Sequence, residues 1–222
     1  MVSVVINQPY YYPQLHWWER ALRGDHVVLL DDVNHNSSFP INRALVHDGN
    51  KEIYLTIPIK KSQRHDIIKN IETSDKNWAI KHENAFSNYY RSCQLKSVYF
   101  FFDTLDDLQM ETYLKTIIHN SIIGVLNEFK WPFTPIYSSN LNLADDIKKN
   151  DRLIAICKAM QADKLILGLG SKNYVEPDLL KYNENNISIE YQDWYCPVEN
   201  YSVLHGLAKH GLATISNVLG LK

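Results

Sequence analysis

Two short apolar runs near the beginning of the chain constrain its fold more than any other feature. Val2–Ile6 and Val27–Leu30 are rich in β-branched residues and are bounded by polar turn signals, which is typical of buried strands. A helical segment, Trp17–Arg23, lies between them and is closed by Gly24. Two buried strands joined through a helix are typical of a parallel βαβ unit. The opening of the chain therefore predicts a parallel sheet.

The rest of the chain extends this pattern. Further short strands are predicted at Phe133–Tyr137, Lys164–Leu167 and Ile187–Tyr191, and a hairpin with an Asp-Gly turn is predicted at Leu45–Thr56. Strand and helix alternate at both ends, with the hairpin and helices inserted between. The sequence therefore predicts an α/β fold: a single domain over residues 1–222, with a largely parallel sheet, helices on both faces and an inserted hairpin and helical segment.

The predicted helices follow from apolar spacing and from capping residues. One begins at a cap among Thr73–Asp75 and runs to about Arg91. A long amphipathic helix is predicted at Asp106–Phe129, another around Ile147–Met160, and a last one at about Leu204–Leu219.

Composition excludes several classes of protein. The net charge of −2 leaves no large basic surface for nucleic acid, and a basic stretch at Lys60, Lys61 and Arg64 is interpreted as a solvated loop. Three scattered cysteines form neither a metal-binding spacing nor a disulfide framework. No apolar window is long enough to span a membrane, and the first apolar run is too short for a signal peptide. The expected location is cytoplasmic, without membrane insertion.

Polar side chains follow the predicted strands, where parallel sheets bind ligands. Gln8, Tyr12 and His16 lie in the loop after the first strand, and at least one of the tyrosines at positions 10–12 is expected to face a pocket. His16 is either a general base or a residue that caps or packs against the following helix. Asp31 and Asp32 follow the second strand, where they either bind a ligand or form a surface turn.

Two later stretches are suited to binding an anion. Arg43 offers a planar guanidinium to a carboxylate or phosphate, with a salt bridge to Asp31 or Asp32 as the alternative. The loop GLGSKNY, residues 168–174, follows a strand, and its glycines let backbone amides approach an anion. It lacks the third glycine of a dinucleotide fingerprint and the ending of a P-loop, so a tight turn is the alternative.

The order of these motifs resembles the WbqC-like family of bacterial proteins. QPYYYP, LLDDV, INR and LTIP occur in that order, followed by Trp78, His82, the pair Ser138-Ser139, GLGSKNY and YQDWYCP. The resemblance spans nearly the whole chain. It implies an association with bacterial surface-polysaccharide (O-antigen) gene clusters, and some members are described as amino-acid (glycine) transferases. Cys196 and Asn217 depart from the family pattern, which more often has His and Asp there.

The resemblance and the polar loops together predict a transferase that adds an amino-acyl, for example glycyl, or another acyl group to a nucleotide-linked sugar. His82 or His16 is the predicted base, and Asp32 assists in orienting the acceptor; a packed core histidine is the alternative for His82. The candidate substrate-binding residues are Gln8, Tyr12, Asn42, Arg43, Ser138, Ser139, Gly168, Gly170, Ser171, Lys172 and Tyr174.

Two other functions stay open. The first is a non-catalytic sugar-binding or assembly protein of the same pathway. The second is an enzyme related to nucleotidylyltransferases, although only His16 of their His-x-Gly-His motif is present. The expected partner is a small molecule, either a sugar nucleotide or an acyl donor. No motif identifies a cofactor or a metal, and the sequence leaves open whether the chain forms a homo-oligomer.

Overall fold

The computed structural model describes residues 1–36, 38, 40–91, 93, 95–131 and 133–221. The chain divides into two compact units, neither of which is continuous in sequence. Unit 1 consists of Met1–Gln8, Trp17–Asp31 and Thr134–Tyr195. Unit 2 consists of Pro9–His16, Asp32–Phe133 and Cys196–Lys222. That residues 1–222 form one domain stays a prediction.

The strands are β1 (Ser3–Asn7), β2 (His26–Leu29), β3 (Arg43–His47), β4 (Glu52–Thr56), β5 (Ile136–Tyr137), β6 (Lys164–Leu167) and β7 (Ser188–Tyr191). The helices are α1 (Leu15–Leu22), α2 (Trp78–Tyr89), α3 (Tyr99–Met110), α4 (Leu114–Glu128), α5 (Lys149–Ala159), α6 (Lys172–Val175), α7 (Leu179–Glu184) and α8 (Val203–Val218). Short 3-10 turns connect several of them.

Unit 1 is built on a five-stranded parallel sheet in the order β5-β2-β1-β6-β7. In β1, consecutive residues such as Val4 and Val5 are both fully buried, so both faces of the strand are covered, as expected where helices flank a parallel sheet. Val4 and Leu165 on one face pack with Ile156 of α5 and Tyr182 of α7. The predicted α/β class with a largely parallel sheet is confirmed.

Unit 2 contains the predicted hairpin. Strands β3 and β4 pair antiparallel, with Arg43 opposite Thr56 and His47 opposite Glu52. At the turn, one carboxylate oxygen of Asp48 accepts the backbone N–H groups of Asn50 and Lys51, each at 2.8 Å. Gly49 has a φ of 99°, a conformation that side chains rarely tolerate. The Asp-Gly signal therefore located this turn correctly.

The prediction of one helix over Asp106–Phe129 is wrong. Helix α3 ends at Met110 and α4 begins at Leu114. Between them, Thr112 accepts the backbone N–H of Thr73, and the N–H of Leu114 donates to Ile71. These bonds to a distant segment replace helical bonds at the break, which apolar spacing alone does not reveal.

The predicted cap of α2 is also wrong. Helix α2 begins at Trp78, and its N-cap residue, Asn77, makes no side-chain capping bond. Asp75 instead accepts the backbone N–H of Asn77 and binds Lys81, so it shapes the turn before the helix.

Across the described residues, no helix is both long enough and apolar enough to cross a lipid bilayer.

Candidate functional site

In unit 1, Asp31 joins the ends of two strands. Its side chain is buried and accepts the backbone N–H of Ser139 at 3.0 Å and the Ser139 hydroxyl at 2.7 Å. The Ser138 hydroxyl lies 3.4 Å from the same carboxylate. The structure thus brings Asp31, Ser138 and Ser139, all three selected from the sequence, into one cluster. The hydrogen bonds of this cluster connect the residues that follow β2 to those that follow β5. Asp32 is half-buried and belongs to unit 2.

A buried polar network lies at the carboxyl end of β1, next to the predicted residue Gln8. Two guanidinium nitrogens of Arg20 donate to the Asn7 side-chain oxygen at 3.1 and 2.7 Å, and a third donates to Gln192 at 2.9 Å. The Gln8 carbonyl accepts the indole N–H of Trp17. Sequence reasoning did not single out Asn7, Arg20 or Gln192; Asn7, which was assigned to the loop after the first strand, is the last residue of β1.

The glycine loop of unit 1 is tightly folded. A Cβ atom on Gly168 would lie 2.7 Å from a guanidinium nitrogen of Arg20, so this glycine makes room for an arginine. The Ser171 hydroxyl and backbone N–H both donate to the Gly168 carbonyl. Gly170 has open space around it, and the Lys172 ammonium lies 5.0 Å from the centre of the Tyr191 ring. Tyr174 is exposed. These contacts describe a compact turn.

In unit 2, two tyrosines of the opening loop belong to the core. Tyr11 is fully buried, and Tyr12 is 1% exposed and packs against Phe100 and Phe101. Tyr12 has a φ of 40°, so its backbone adopts a left-handed conformation. Tyr10 is half-buried. Neither Tyr11 nor Tyr12 therefore faces open solvent.

Both ring nitrogens of His82 are hydrogen-bonded. Nε2 lies 3.2 Å from the Thr56 carbonyl and Nδ1 lies 3.2 Å from the Tyr11 hydroxyl. A carbonyl only accepts, so Nε2 carries the proton and Nδ1 accepts from Tyr11. Burial lowers the pKa of His82 to about 4, although the bond to Thr56 partly opposes this shift. His82 is therefore a neutral link between the opening loop and β4, and its role as a base stays a prediction.

This burial predicts a pH dependence of stability. Since the folded pKa of His82, about 4, lies below the ordinary 6.5, the unfolded chain binds the extra proton in this range. Stability present above pH 6.5 is therefore lost as the pH falls towards 4, by about 3 kcal/mol. We expect the free energy of unfolding, measured with urea at several pH values, to change less with pH in this window for His82→Gln than for the native chain. An equal change with pH in the two proteins would contradict the prediction.

His16 lies within α1, which begins at Leu15, two residues before the predicted helix start at Trp17. Its backbone N–H donates to the Asn200 side-chain oxygen at 3.0 Å, and its Nδ1 lies 2.9 Å from the Asn200 side-chain nitrogen. The side chain is half-buried. These contacts place His16 at a helix start, and its role as a base stays a prediction.

Among the described residues, neither candidate histidine contacts Cys196. Burial raises the pKa of its thiol, which lowers the reactive thiolate fraction. Nδ1 of His205 instead lies 2.7 Å from the Tyr90 hydroxyl, and Nε2 of His210 lies 2.8 Å from the Glu199 carboxylate.

Asn42 and Arg43 lie where β3 begins. The Asn42 amide donates to the Ile57 carbonyl at 2.6 Å, and the Ile57 N–H donates back to the Asn42 carbonyl at 2.9 Å. Asn42 thereby fixes the position of its neighbour Arg43. The Arg43 guanidinium lies 5.5 Å from the centre of the Tyr54 ring, within the range of a cation–π contact. The alternative of a salt bridge between Arg43 and an aspartate is not seen among the described residues.

Arg43 faces a large cavity, which we call the basic cavity. Its volume is about 690 Å³, and the described residues of its lining include Arg43, Lys61 and Arg64 but no carboxylate. Within the described part of the chain, none of these three cations is ion-paired, and all three are exposed. The described lining residues are His35, Pro40, Asn42, Arg43, Thr56, Ile57, Pro58, Ile59, Lys61, Arg64 and Ser74. Three cations without counter-charges favour an anionic ligand.

A second cavity, the aromatic cavity, shares two lining residues with the basic one, Thr56 and Pro58. Its volume is about 320 Å³, and Tyr54, Trp78 and Tyr89 contribute rings to its lining. The other lining residues are Ile53, Leu55, Asp75, Lys81, His82 and Ala85. Since Arg43 stacks on Tyr54, one contact connects the walls of the two cavities.

Sequence reasoning found part of this site and missed part of it. It selected Asn42, Arg43 and His82, which the structure places around the two cavities. It interpreted Lys61 and Arg64 as a solvated loop, whereas both line the basic cavity. The one signal in the sequence was that the segment KKSQR, residues 60–64, is basic and contains no acidic residue. This signal is a weak indication of anion binding.

Comparisons with known proteins identify the family. No curated protein and no solved structure matches the chain. Residues 8–216 match the WbqC-like protein family. This match includes the opening loop, both cavities of unit 2 and all the candidate site residues. The chain therefore belongs to the WbqC-like protein family.

Proposed function

We propose that the chain is a cytoplasmic transferase that moves an amino-acyl or other acyl group onto a hydroxyl or amine of a nucleotide-linked sugar. The observation that carries this proposal is the basic cavity, in which three cations and no carboxylate from the described residues line a space of about 690 Å³. A sugar nucleotide carries its negative charge in a diphosphate, which is the chemistry that arginine and lysine bind well.

The size and lining of the two cavities support a ligand with two chemically different parts. Cavities of this size accommodate small molecules, and those that bind organic ligands combine apolar walls with a few polar groups. The diphosphate fits the cations of the basic cavity. A sugar or base ring fits beside Tyr54, Trp78 and Tyr89 in the aromatic cavity, because aromatic rings offer broad apolar surfaces. Arg43, which lines the basic cavity and stacks on Tyr54, would then contact the ligand between these parts.

The acyl-transfer part of the proposal rests on the family resemblance and on the polar side chains at the cavities. A second candidate function, a non-catalytic sugar-binding or assembly protein, has one observation in its favour. His82, the predicted base at the aromatic cavity, uses both ring nitrogens in internal hydrogen bonds. A binding protein needs no free base, whereas a transferase does.

A thermal-shift screen tests the proposal. The panel contains UDP- and dTDP-sugars, nucleoside triphosphates with magnesium, acyl-coenzyme A species and free amino acids. A ligand that binds only the folded state raises the unfolding midpoint. We expect a sugar nucleotide to raise the midpoint of the native chain, and Arg43→Ala to remove most of that rise. Arg91→Ala is the matched control, since Arg91 is exposed in the same unit and lines neither cavity.

The outcomes separate the candidate functions. A shift with a sugar nucleotide, followed by acyl transfer to it from an acyl-coenzyme A or an activated amino acid, supports the transferase. A shift without transfer from any donor favours the binding protein. A shift with triphosphate and magnesium alone contradicts both and favours the nucleotidylyltransferase alternative.

A further inference from the structure

One side chain in the lining of the basic cavity has a ring nitrogen without a partner. His35 is 4% exposed, and its backbone N–H donates to the Asp66 carbonyl at 2.9 Å. Its Nδ1 lies 2.8 Å from the Arg64 carbonyl. Its Nε2 is buried and has no hydrogen-bond partner within the described residues. A buried polar atom without a partner is costly, and a ligand that reaches it from the basic cavity, which His35 lines, would remove that cost.

The bond to Arg64 fixes the chemical character of the unpartnered nitrogen. A carbonyl oxygen only accepts hydrogen bonds, so Nδ1 must carry the proton. In the neutral ring, Nε2 therefore holds the lone pair and is the nitrogen that accepts a proton. Because Arg64 also contributes its side chain to the cavity lining, the residue that orients the imidazole is itself part of the wall.

The charged groups around His35 suit this role. Among the described residues that line the same cavity, Arg43, Lys61 and Arg64 are the cations and none is a carboxylate. Asp66 contributes its backbone carbonyl to His35, and its side chain is exposed. These cations would hold an anionic substrate beside the imidazole.

We propose that His35, through Nε2, is the catalytic base for an acyl acceptor that is held in the basic cavity by its phosphate groups. This inference rests on the proposed function and names a catalytic base for it, since both ring nitrogens of His82 are hydrogen-bonded. The acceptor is an anionic compound with a free hydroxyl or amine, and the donor is an activated acyl compound, a thioester or an ester.

The step balances as follows in atoms and electrons. The acceptor oxygen or nitrogen attacks the acyl carbonyl carbon, a new ester or amide bond forms, and the thioester or ester bond of the donor breaks. The proton of the attacking hydroxyl or amine passes to Nε2 of His35. The imidazolium then returns this proton to the departing thiolate or alkoxide, so His35 ends in its initial state.

His82 provides a matched internal comparison. Both histidines are 4% exposed, and each lines a cavity of unit 2. They differ in that both nitrogens of His82 are hydrogen-bonded, whereas His35 has a free Nε2. A chemical probe of the imidazole lone pair therefore distinguishes them without any variant.

The first test uses diethyl pyrocarbonate, which acylates the unprotonated nitrogen of histidine, on the folded native chain. Peptide mass spectrometry measures the rate at each histidine. We expect His35 to react faster than His82, and a sugar nucleotide at about ten times its Kd to slow His35 about tenfold, because about nine-tenths of the sites are then filled. A His35 rate no greater than that of His82 would overturn the inference.

The second test uses His35→Asn, whose amide nitrogen keeps a donor near the Arg64 carbonyl and removes Nε2. We expect kcat for acyl transfer to fall by about a hundredfold or more, with little change in KM or in the unfolding midpoint. A variant with native kcat would overturn the role of His35. Selective acylation of His35 in a chain that binds no sugar nucleotide would instead overturn the proposed ligand and leave the reactive nitrogen established.

Discussion

Reversing the charge of Lys61 and Arg64 together is expected to lower the affinity for a sugar nucleotide by about a thousandfold. Hydrogen bonds to charged groups contribute roughly 1.5–3 kcal/mol each, so losing two of them costs about 3–6 kcal/mol of binding free energy. The two new carboxylates would also repel the diphosphate. Both side chains are exposed and neither is ion-paired in the described residues, so the fold should be unaffected.

Isothermal titration calorimetry of Lys61→Glu/Arg64→Glu measures this effect directly. The matched control is Lys69→Glu/Lys76→Glu, which changes the net charge equally at exposed positions of the same unit outside both cavities. We expect the control to bind almost normally at moderate salt, because neither side chain lines a cavity and salt screens exposed charges. Equal losses in the two variants would mean that overall charge, rather than the basic cavity, attracts the ligand.

Replacing Trp18 with alanine is expected to give the largest loss of stability from a single substitution. Trp18 is fully buried in α1 and packs edge-to-face against Trp17, with ring centres 4.9 Å apart. Removing a buried tryptophan side chain costs about 4 kcal/mol, because apolar burial is lost and a cavity remains. For a chain of this size the unfolding midpoint should fall by roughly 10 °C.

Differential scanning calorimetry of Trp18→Ala measures this loss, and Tyr195→Ala is the control. Tyr195 is 90% exposed, so its removal should leave the midpoint almost unchanged. A fall in Trp18→Ala no larger than in the control would show that α1 does not contribute to the cooperative core.

The parallel sheet was predictable because its strands carry their own signal. Val4, Val5 and Ile6 are consecutive apolar residues, and all three are buried as a strand covered on both faces requires. The hairpin was predictable from its Asp-Gly turn for a similarly local reason. The break between α3 and α4 was not, because it depends on backbone bonds to Ile71 and Thr73, far away in sequence.

From the sequence, a residue of the candidate site could be predicted only where its side-chain type alone indicates a function. Arg43 was found because a guanidinium next to a strand indicates anion binding. His35 was missed because its importance depends on which nitrogen is satisfied, and that follows from the position of the Arg64 carbonyl. Lys61 and Arg64 were assigned to a solvated loop because sequence does not show that a loop folds against the start of a strand.

The strand order has a consequence for how the chain folds. Strand β1 is the central strand of the sheet and pairs with β6, so Ser3 lies opposite Lys164. During synthesis, β1 therefore lacks one of its two neighbours until β6 has left the ribosome. Contacts between such distant segments slow folding, because a long loop must close before they form. We infer that a chain shortened before β6 cannot complete the sheet, and that the apolar strand β1 stays open to misassociation until β6 has been synthesised.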